Sequence, residues 1–130
     1  MSCRIESIGT SLPLDGLSNG SVHHAVAAAR ECLALSEHPA TDIDLVINAG
    51  VYRDEHISEP AMATFIQNEL CINNDLNGKT TFSLDLINGA AGMLSAIEVI
   101  AAAIESNAAQ VGLVVSSDSN PDSDPDPSYN

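Results

Sequence analysis

The chain has 130 residues, of which 45% are hydrophobic and 3% aromatic, and its 4 basic residues stand against 18 acidic ones for a formal net charge of −14. This length fits one small domain, and the acidic surplus excludes a nucleic-acid footprint and opposes binding to anionic membranes. Without tryptophan, packing depends on Ala, Val, Ile and Leu, which suits an α/β protein with close helix–sheet layers.

The first third of the chain predicts a strand followed by a helix. Apolar and polar residues alternate in Cys3–Thr10, and Pro13 begins a loop, so a short strand is expected there. Small and apolar residues then recur at helical spacing over Val22–Leu35, and Pro39 prevents the helix from continuing.

The middle of the chain predicts a buried strand, a polar loop and a second helix. Asp42–Gly50 contains a nearly continuous apolar run, which is typical of a parallel strand covered on both faces. Val51–Ile57 is polar, and Pro60 opens the next helix. The apolar positions of this helix are Met62, Phe65, Ile66 and Leu70.

The last predicted elements are a strand over residues 80–85, a helix over 88–106 and a strand over 110–116. Alternating strands and helices predict α/β architecture, a mostly parallel sheet joined by right-handed βαβ crossovers. The helix over 88–106 is apolar on nearly every side, so it is expected to be a buried central helix. One small sheet cannot cover both sides of it, which predicts a second domain or a partner subunit.

Three segments together resemble the N-terminal half of the thiolase superfamily, closest to the β-ketoacyl-ACP synthase III branch. They read RIESIGTSLP, TDIDLVINAGVYRDEHISEPAMATFIQNEL and the strand–turn–helix beginning TTFSLDLINGAAGM. The resemblance implies a thiolase-like half-domain over 1–117, followed by an acidic loop or tail over 118–130. It also implies acyl transfer and Claisen condensation on thioesters, the chemistry of a 3-oxoacyl-ACP synthase III in fatty acid or polyketide biosynthesis.

The nucleophile of that family is missing from this sequence. The family pattern places a Cys five or six residues after an Asp that ends a strand, and here Ala90 or Ala91 follows Asp85 at that spacing. A Cys at a helix N-terminus has a lowered pKa, and alanine removes this nucleophile entirely. The chain is therefore expected to be an acyltransferase half that is not competent by itself.

Two further differences concern the substrate. The family binds coenzyme A partly through a long segment before the first helix, and here only residues 13–21 correspond to it. The His and Asn that the family uses in decarboxylation belong to its C-terminal half. No cofactor is expected, and a possible acyl thioester remains the substrate that the resemblance implies.

His56 is the candidate substrate-binding residue. It lies in a charged loop after the C-terminal end of a predicted strand, where open α/β sheets place their ligands. The alternative is that the loop charges are simply solvated.

The remaining cysteines and histidines predict no site. Cys71 falls at a helix end, where the dipole raises a thiol pKa, so it is interpreted as a packing residue, and Cys32 as a core residue. His23 and His24 are adjacent and cannot chelate one metal from a helix, so no metal is expected. His38 lies near a helix C-terminus, a favourable position for a cation.

The resemblance also predicts how the chain associates. Family dimers pair across the strand after the nucleophile helix, which places Val111, Leu113 and Val115 at a dimer interface. The expected partner is a second copy or a C-terminal thiolase half. The alternative function is a non-catalytic dimerisation or partner subunit built on the half-fold. With three cysteines and no leader pattern, a cytoplasmic location is expected, without nucleic-acid or membrane partners.

Overall fold

The structure of the chain, a computed structural model, describes residues 2–12 and 20–119. Within these ranges three helices alternate with three strands. They are α1 Ser21–Leu35, β1 Leu45–Asn48, α2 Met62–Glu69, β2 Phe82–Asp85, α3 Gly92–Glu105 and β3 Gly112–Val115. The predicted loop from Pro13 to residue 19 and the acidic tail from residue 120 lie outside the described residues.

The three strands form one parallel sheet in the order β2-β1-β3. β1 is central, with Leu45 opposite Phe82 and Gly112 and Asn48 opposite Asp85 and Val115. All four β1 residues are buried, because strands cover both edges and helices cover both faces. The prediction of a parallel α/β sheet is confirmed.

Two apolar clusters lie on opposite faces of the sheet. On one face α1 and α2 pack against Val46, Leu113 and Val115. On the other, Ile47 contacts the α3 cluster that contains Ala96 and Ile100. A Cβ at Gly112 would lie 2.6 Å from Cγ2 of Ile100, so the glycine lets α3 approach the sheet closely.

The predicted first strand is wrong. Residues 2–12 form no strand and lie along α1, where Cys32 Sγ is 3.2 Å from the Ser7 hydroxyl and the Thr10 N–H donates to Glu31. A Cβ at Gly9 would stand 2.2 Å from the Ala28 carbonyl oxygen, which shows how closely the segment meets the helix backbone. Exposure alternates only over residues 7–12, where Ser7, Gly9 and Ser11 are half-buried. Ile5 and Ile8, which the predicted strand would have used, are 66% and 70% exposed.

α3 begins later than predicted, at Gly92, after a 3₁₀ turn over Gly89–Ala91. It is buried along one line only, at Gly92, Ala96 and Ile100. The opposite side carries Leu94, which is 67% exposed. The expectation that this chain cannot cover the helix on both sides agrees with that exposure. Among the residues described, no helix is long and apolar enough to cross a membrane.

Asp44 connects the N-terminal ends of the three strands through an ion pair and two hydrogen bonds. Desolvation raises its pKa, but the Lys79 ammonium 2.8 Å from Oδ1 and the N–H groups of Gln110 and Val111 outweigh it and lower the pKa below the ordinary 3.8. A carboxyl with a lowered folded-state pKa stabilises the fold above its ordinary pKa, and the contribution is lost as pH falls through the folded value.

We therefore expect the free energy of unfolding to fall as pH drops below about 4, and Asp44→Asn to flatten this part of the profile. Urea titrations of both proteins at several pH values measure it. Asp75→Asn, in an exposed turn, is the control. An unchanged acid slope in Asp44→Asn would contradict the assignment.

Candidate functional site

The candidate site is the edge of the sheet where β1 and β2 end and the chain turns into α3. Asp85, the last residue of β2, accepts hydrogen bonds there on both carboxylate oxygens. Arg53 Nη1 lies 2.6 Å and the Met62 N–H nitrogen 2.8 Å from Oδ2, while the Ala63 nitrogen lies 2.9 Å and Asn48 Nδ2 3.2 Å from Oδ1. Four donors occupy this carboxylate, so its role is to fix the site's geometry rather than to react.

Arg53 holds the loop between β1 and α2 in place. Its guanidinium donates to the carbonyls of Ile57, at 2.6 Å, and Ser58, at 2.9 Å, while its third contact is the ion pair with Asp85. Both side chains are largely covered, at 23% and 11% exposure. The polar loop predicted as a binding region is thus fastened to the end of β2.

Two more aspartates bind backbone N–H groups at this edge. Asp54 accepts from the first residues of α1, Ser21 and Val22, and so caps that helix from a distant loop. Asp118, after β3, accepts from the N–H groups of Val51 and Tyr52 at 2.6 and 2.7 Å. Sequence analysis did not predict that Asp54, Asp85 and Asp118 accept from backbone N–H groups, since no local pattern links partners more than twenty residues apart.

Replacing Asp54 by alanine is expected to lower the free energy of unfolding by about 1–2 kcal/mol, because two N–H groups at the α1 N-terminus lose their acceptor. Urea denaturation followed by circular dichroism measures the loss. Asp54→Asn retains an acceptor oxygen and should recover part of it. A neutral Asp54→Ala would mean that water caps the helix equally well.

The turn that sequence analysis predicts to be the nucleophile slot lies beside this edge. Ala90 and Ala91 are both exposed and form the end of the 3₁₀ turn, with Gly89 at a φ of 49°. Asn88 Nδ2 donates to the Ser95 hydroxyl at 3.0 Å across the turn. The turn leads straight into the N-terminus of α3, where backbone N–H groups would favour a negative charge. A methyl group is all that either position presents.

The three cysteines lie away from the turn before α3. Cys32 is half-buried in α1, and its Sγ lies 3.2 Å from the Ser7 hydroxyl and 3.4 Å from the Ser7 carbonyl oxygen. Cys71 is exposed rather than packed, because it follows the end of α2 with a φ of 54° that turns the chain away. Cys3 is half-buried in the N-terminal segment. None lies in the turn before α3.

The histidines are distributed over the surface. His24 Nδ1 lies 3.2 Å from the Ser11 hydroxyl. The hydrogen bond that His38 Nδ1 donates to the Asp42 carboxylate, at 3.0 Å, raises the pKa of His38, and the charges of Glu6 and Glu37 add to the effect despite partial desolvation. In the described part of the chain, no three His, Cys, Asp or Glu side chains are grouped closely enough to hold a metal ion.

His56 is exposed in a 3₁₀ turn over Asp54–His56, with a φ of 56°. It lies near an open groove of about 470 Å³ between α1 and α2, whose lining includes Asp54, Glu55, Val26 and Phe65. The slot at Ala90 and Ala91 does not line this groove. A substrate-binding role for His56 therefore stays a prediction.

The residues predicted to form a dimer interface, in and just before β3, are buried or half-buried in this chain. Leu113 and Val115 are buried at 6% and 5% exposure in the cluster against α1, and Val111 is half-buried beside it. Their side chains are committed to the core of this chain. Pairing of β3 with another chain would use the backbone of its outer edge, and the predicted interface stays a prediction.

Solved structures of condensing enzymes share this architecture. The priming β-ketosynthase of the R1128 polyketide pathway superposes with a TM-score of 0.76 over 87% of this chain at 20% identity. The 3-oxoacyl-[acyl-carrier-protein] synthase III of Aquifex aeolicus gives 0.68 over 77% at 21%, and Xanthomonas campestris OleA gives 0.69 over 78% at 23%. The chain has the fold of a thiolase-superfamily N-terminal half.

The thiolase-like half-fold accounts for only part of each of these proteins. The chain spans 40%, 30% and 28% of their lengths, respectively. No protein-family model matches the chain, and no curated protein matches it. At this level of identity the likeness establishes the fold alone.

Proposed function

We propose that the chain is the N-terminal half of a protein related to 3-oxoacyl-ACP synthase III, and that it does not form an acyl-enzyme by itself. Its role is to supply the sheet, the sheet edge that Asp85 holds in place, and α3. Together with the other half they form a complete condensing-enzyme fold that acts on acyl thioesters. The C-terminal half comes from the same longer chain or from a partner. The proposal places the protein in the cytoplasm, where free cysteines stay reduced.

The composition of the turn before α3 carries this proposal. Acyl transfer through the enzyme needs a thiolate or an activated hydroxyl at the attacking position. Residues 89–93 read Gly-Ala-Ala-Gly-Met, and the Met93 thioether cannot carry an acyl group as a thiolate does. The electrostatics of a helix N-terminus are retained, while the group that would use them is absent.

The test is acylation followed by intact-protein mass spectrometry. The wild-type chain, incubated with acetyl-CoA and with a long-chain acyl-CoA, should gain no acyl mass. Ala90→Cys and Ala91→Cys, made in a Cys71→Ser background, should restore a thiol of lowered pKa, measured by the pH dependence of alkylation. Ala102→Cys is the matched control, because it is exposed on the same helix but away from its N-terminus.

Two results would count against the proposal. An acyl adduct on Cys3, Cys32 or Cys71 that disappears on unfolding would show that this chain carries its own nucleophile. Equal thiol pKa values in Ala90→Cys, Ala91→Cys and Ala102→Cys would show that the turn does not activate a nucleophile.

The alternative is a non-catalytic dimerisation or partner subunit. It is favoured by the alanine at the slot together with the apolar residues left exposed around α3, because neither feature requires catalysis. Light scattering, combined with a dye that binds apolar surface, distinguishes the condensing-enzyme half from the non-catalytic subunit. A compact homodimer that binds little dye supports the alternative, whereas a dye-binding monomer supports a half that lacks its cover.

A further inference from the structure

The N-terminal segment, residues 2–12, lies on α1 without entering the core. None of its residues is fully buried, and its two isoleucines are 66% and 70% exposed. Its backbone is nevertheless close to the helix, because a Cβ at Gly9 would lie 2.2 Å from the Ala28 carbonyl oxygen and 2.3 Å from the Cys32 nitrogen. With so little apolar burial, the segment depends on polar contacts to stay in place.

Hydrogen bonds join the segment to the second half of α1. The Thr10 N–H donates to the Glu31 carboxylate, and the Ser7 hydroxyl and carbonyl oxygen lie 3.2 and 3.4 Å from Cys32 Sγ. Such contacts exchange with water at a small net free energy each. The attachment is therefore weak enough for one further contact to change how often the segment opens.

Glu6 provides a charged contact beyond the end of α1. Ser36 Oγ donates to one of its carboxylate oxygens, and His38 Nε2 lies 3.7 Å from the other. On the opposite side of the ring, His38 Nδ1 lies 3.0 Å from the Asp42 carboxylate. His38 therefore stands between a carboxylate of the N-terminal segment and a carboxylate of the 3₁₀ turn over Ala40–Asp42.

The proton on His38 decides whether this contact is attractive. Neutral His38 uses its one N–H, on Nδ1, for Asp42 and presents the lone pair of Nε2 to the Glu6 carboxylate. Protonation places an N–H and a positive charge there, so that Glu6 gains an ion pair. The other charged groups at this position are Arg4, 3.9 Å from Glu6, Glu37, and Lys79, which donates to the Asp42 carbonyl.

The contact also fixes the direction of the pH effect. The pKa of His38 is raised above its ordinary 6.5, chiefly by the hydrogen bond to Asp42 and further by the charge of Glu6. The part that Glu6 causes exists only while the segment is attached, so protonation and attachment favour each other. Attachment is therefore stabilised below the ordinary pKa of His38, and this contribution is lost as pH rises through the raised value.

We propose that the N-terminal segment is a pH-sensitive strap over α1, held by the contact between Glu6 and protonated His38 and loosened when His38 becomes neutral. Loosening uncovers Cys32 and the backbone of α1 at Ala28, and it frees an extended segment that carries two exposed isoleucines. This inference does not depend on the proposed function, because it concerns neither the turn before α3 nor acyl transfer.

Alkylation of Cys32 measures the position of the segment, because Ser7 lies against its thiol. In a Cys3→Ser/Cys71→Ser background, the rate of reaction with iodoacetamide is measured from about pH 6 to 8, the range in which a histidine changes charge. Each rate is divided by that of the same chain unfolded in urea, which corrects for ionisation of the thiol. Circular dichroism checks the fold of each variant.

Gly9→Ala provides the reference for an open segment, since its methyl group would collide with the Ala28 carbonyl. It should react fast at every pH. The corrected rate of the background chain is expected to rise about threefold over the pH range, the size of effect that an exposed charge pair produces. Glu6→Gln and His38→Gln should abolish this rise. His24→Gln should retain it, because His24 contacts only the Ser11 hydroxyl of the segment in this structure.

Three results would overturn the proposal. The first is a corrected rate that does not change with pH in the background chain. The second is a rise that persists in either Glu6→Gln or His38→Gln, or that disappears in His24→Gln alone. The third is a Gly9→Ala variant that reacts as slowly as the background chain, since the segment would then not cover Cys32.

Discussion

Replacing Asp85 by alanine is expected to lower the free energy of unfolding by about 3–5 kcal/mol, the range for breaking a largely buried ion pair from one side. The side chain is 11% exposed and accepts from Arg53, Asn48 and two N–H groups of the α2 N-terminus. Its removal leaves the Arg53 guanidinium without its anion and the N-terminus of α2 without its cap. Each of these losses lowers the free energy of unfolding.

Urea denaturation of Asp85→Ala, Asp85→Asn and Glu105→Ala tests this prediction. Asp85→Asn retains the shape and one acceptor oxygen but loses the charge, so its loss should be intermediate. Glu105→Ala removes an exposed carboxylate from α3 and should stay within about 0.5 kcal/mol of wild type. A loss below about 1 kcal/mol in Asp85→Ala would mean that water screens the pair as it does a surface salt bridge.

Ile47→Ala is expected to cost about 2–5 kcal/mol, because it leaves a cavity between the central strand and α3. Ile47 has no exposed surface and packs with Ala96 and Ile100 on the face where α3 is the only helix among the described residues. The alanines of this cluster cannot extend to fill the space, and the neighbouring strands fix the backbone of β1.

The matched control is Val99→Ala, on the same helix but 41% exposed, which should change stability by about 0.5 kcal/mol or less. Chemical denaturation followed by circular dichroism measures both. If Ile47→Ala were as mild as its control, α3 would not be docked on the sheet in the isolated chain. The fold would then depend on a covering partner for this helix as well as for its outer face.

Some elements follow from local sequence alone. The continuous apolar run around Val46 predicts a strand buried on both faces, and β1 is that strand. Helical spacing of small residues predicts α1, and the bounds differ from the prediction by one residue at its start. The same local sequence shows that the turn before α3 contains alanines and no cysteine. These features depend on the spacing of apolar residues along the chain, which can be read directly from the sequence.

The candidate site itself could not be predicted in this way. Asp85 contacts backbone groups 22 and 23 residues away, and Asp118 contacts N–H groups 66 and 67 residues away. Many aspartates in an acidic chain could make such contacts, and only the packing of strands and helices selects which of them do.

The N-terminal segment is a case in which the local sequence pattern predicts the wrong element. Cys3–Thr10 has the alternation of a strand, yet the segment pairs with no edge of the three-stranded sheet and lies on α1 instead. Sequence by itself determined which segments are helical or extended in pattern, the parallel α/β class and the absence of a thiol before α3. The tertiary structure decided strand order, the carboxylate contacts and the free face of α3, because these depend on competition between distant segments for the same edges and faces.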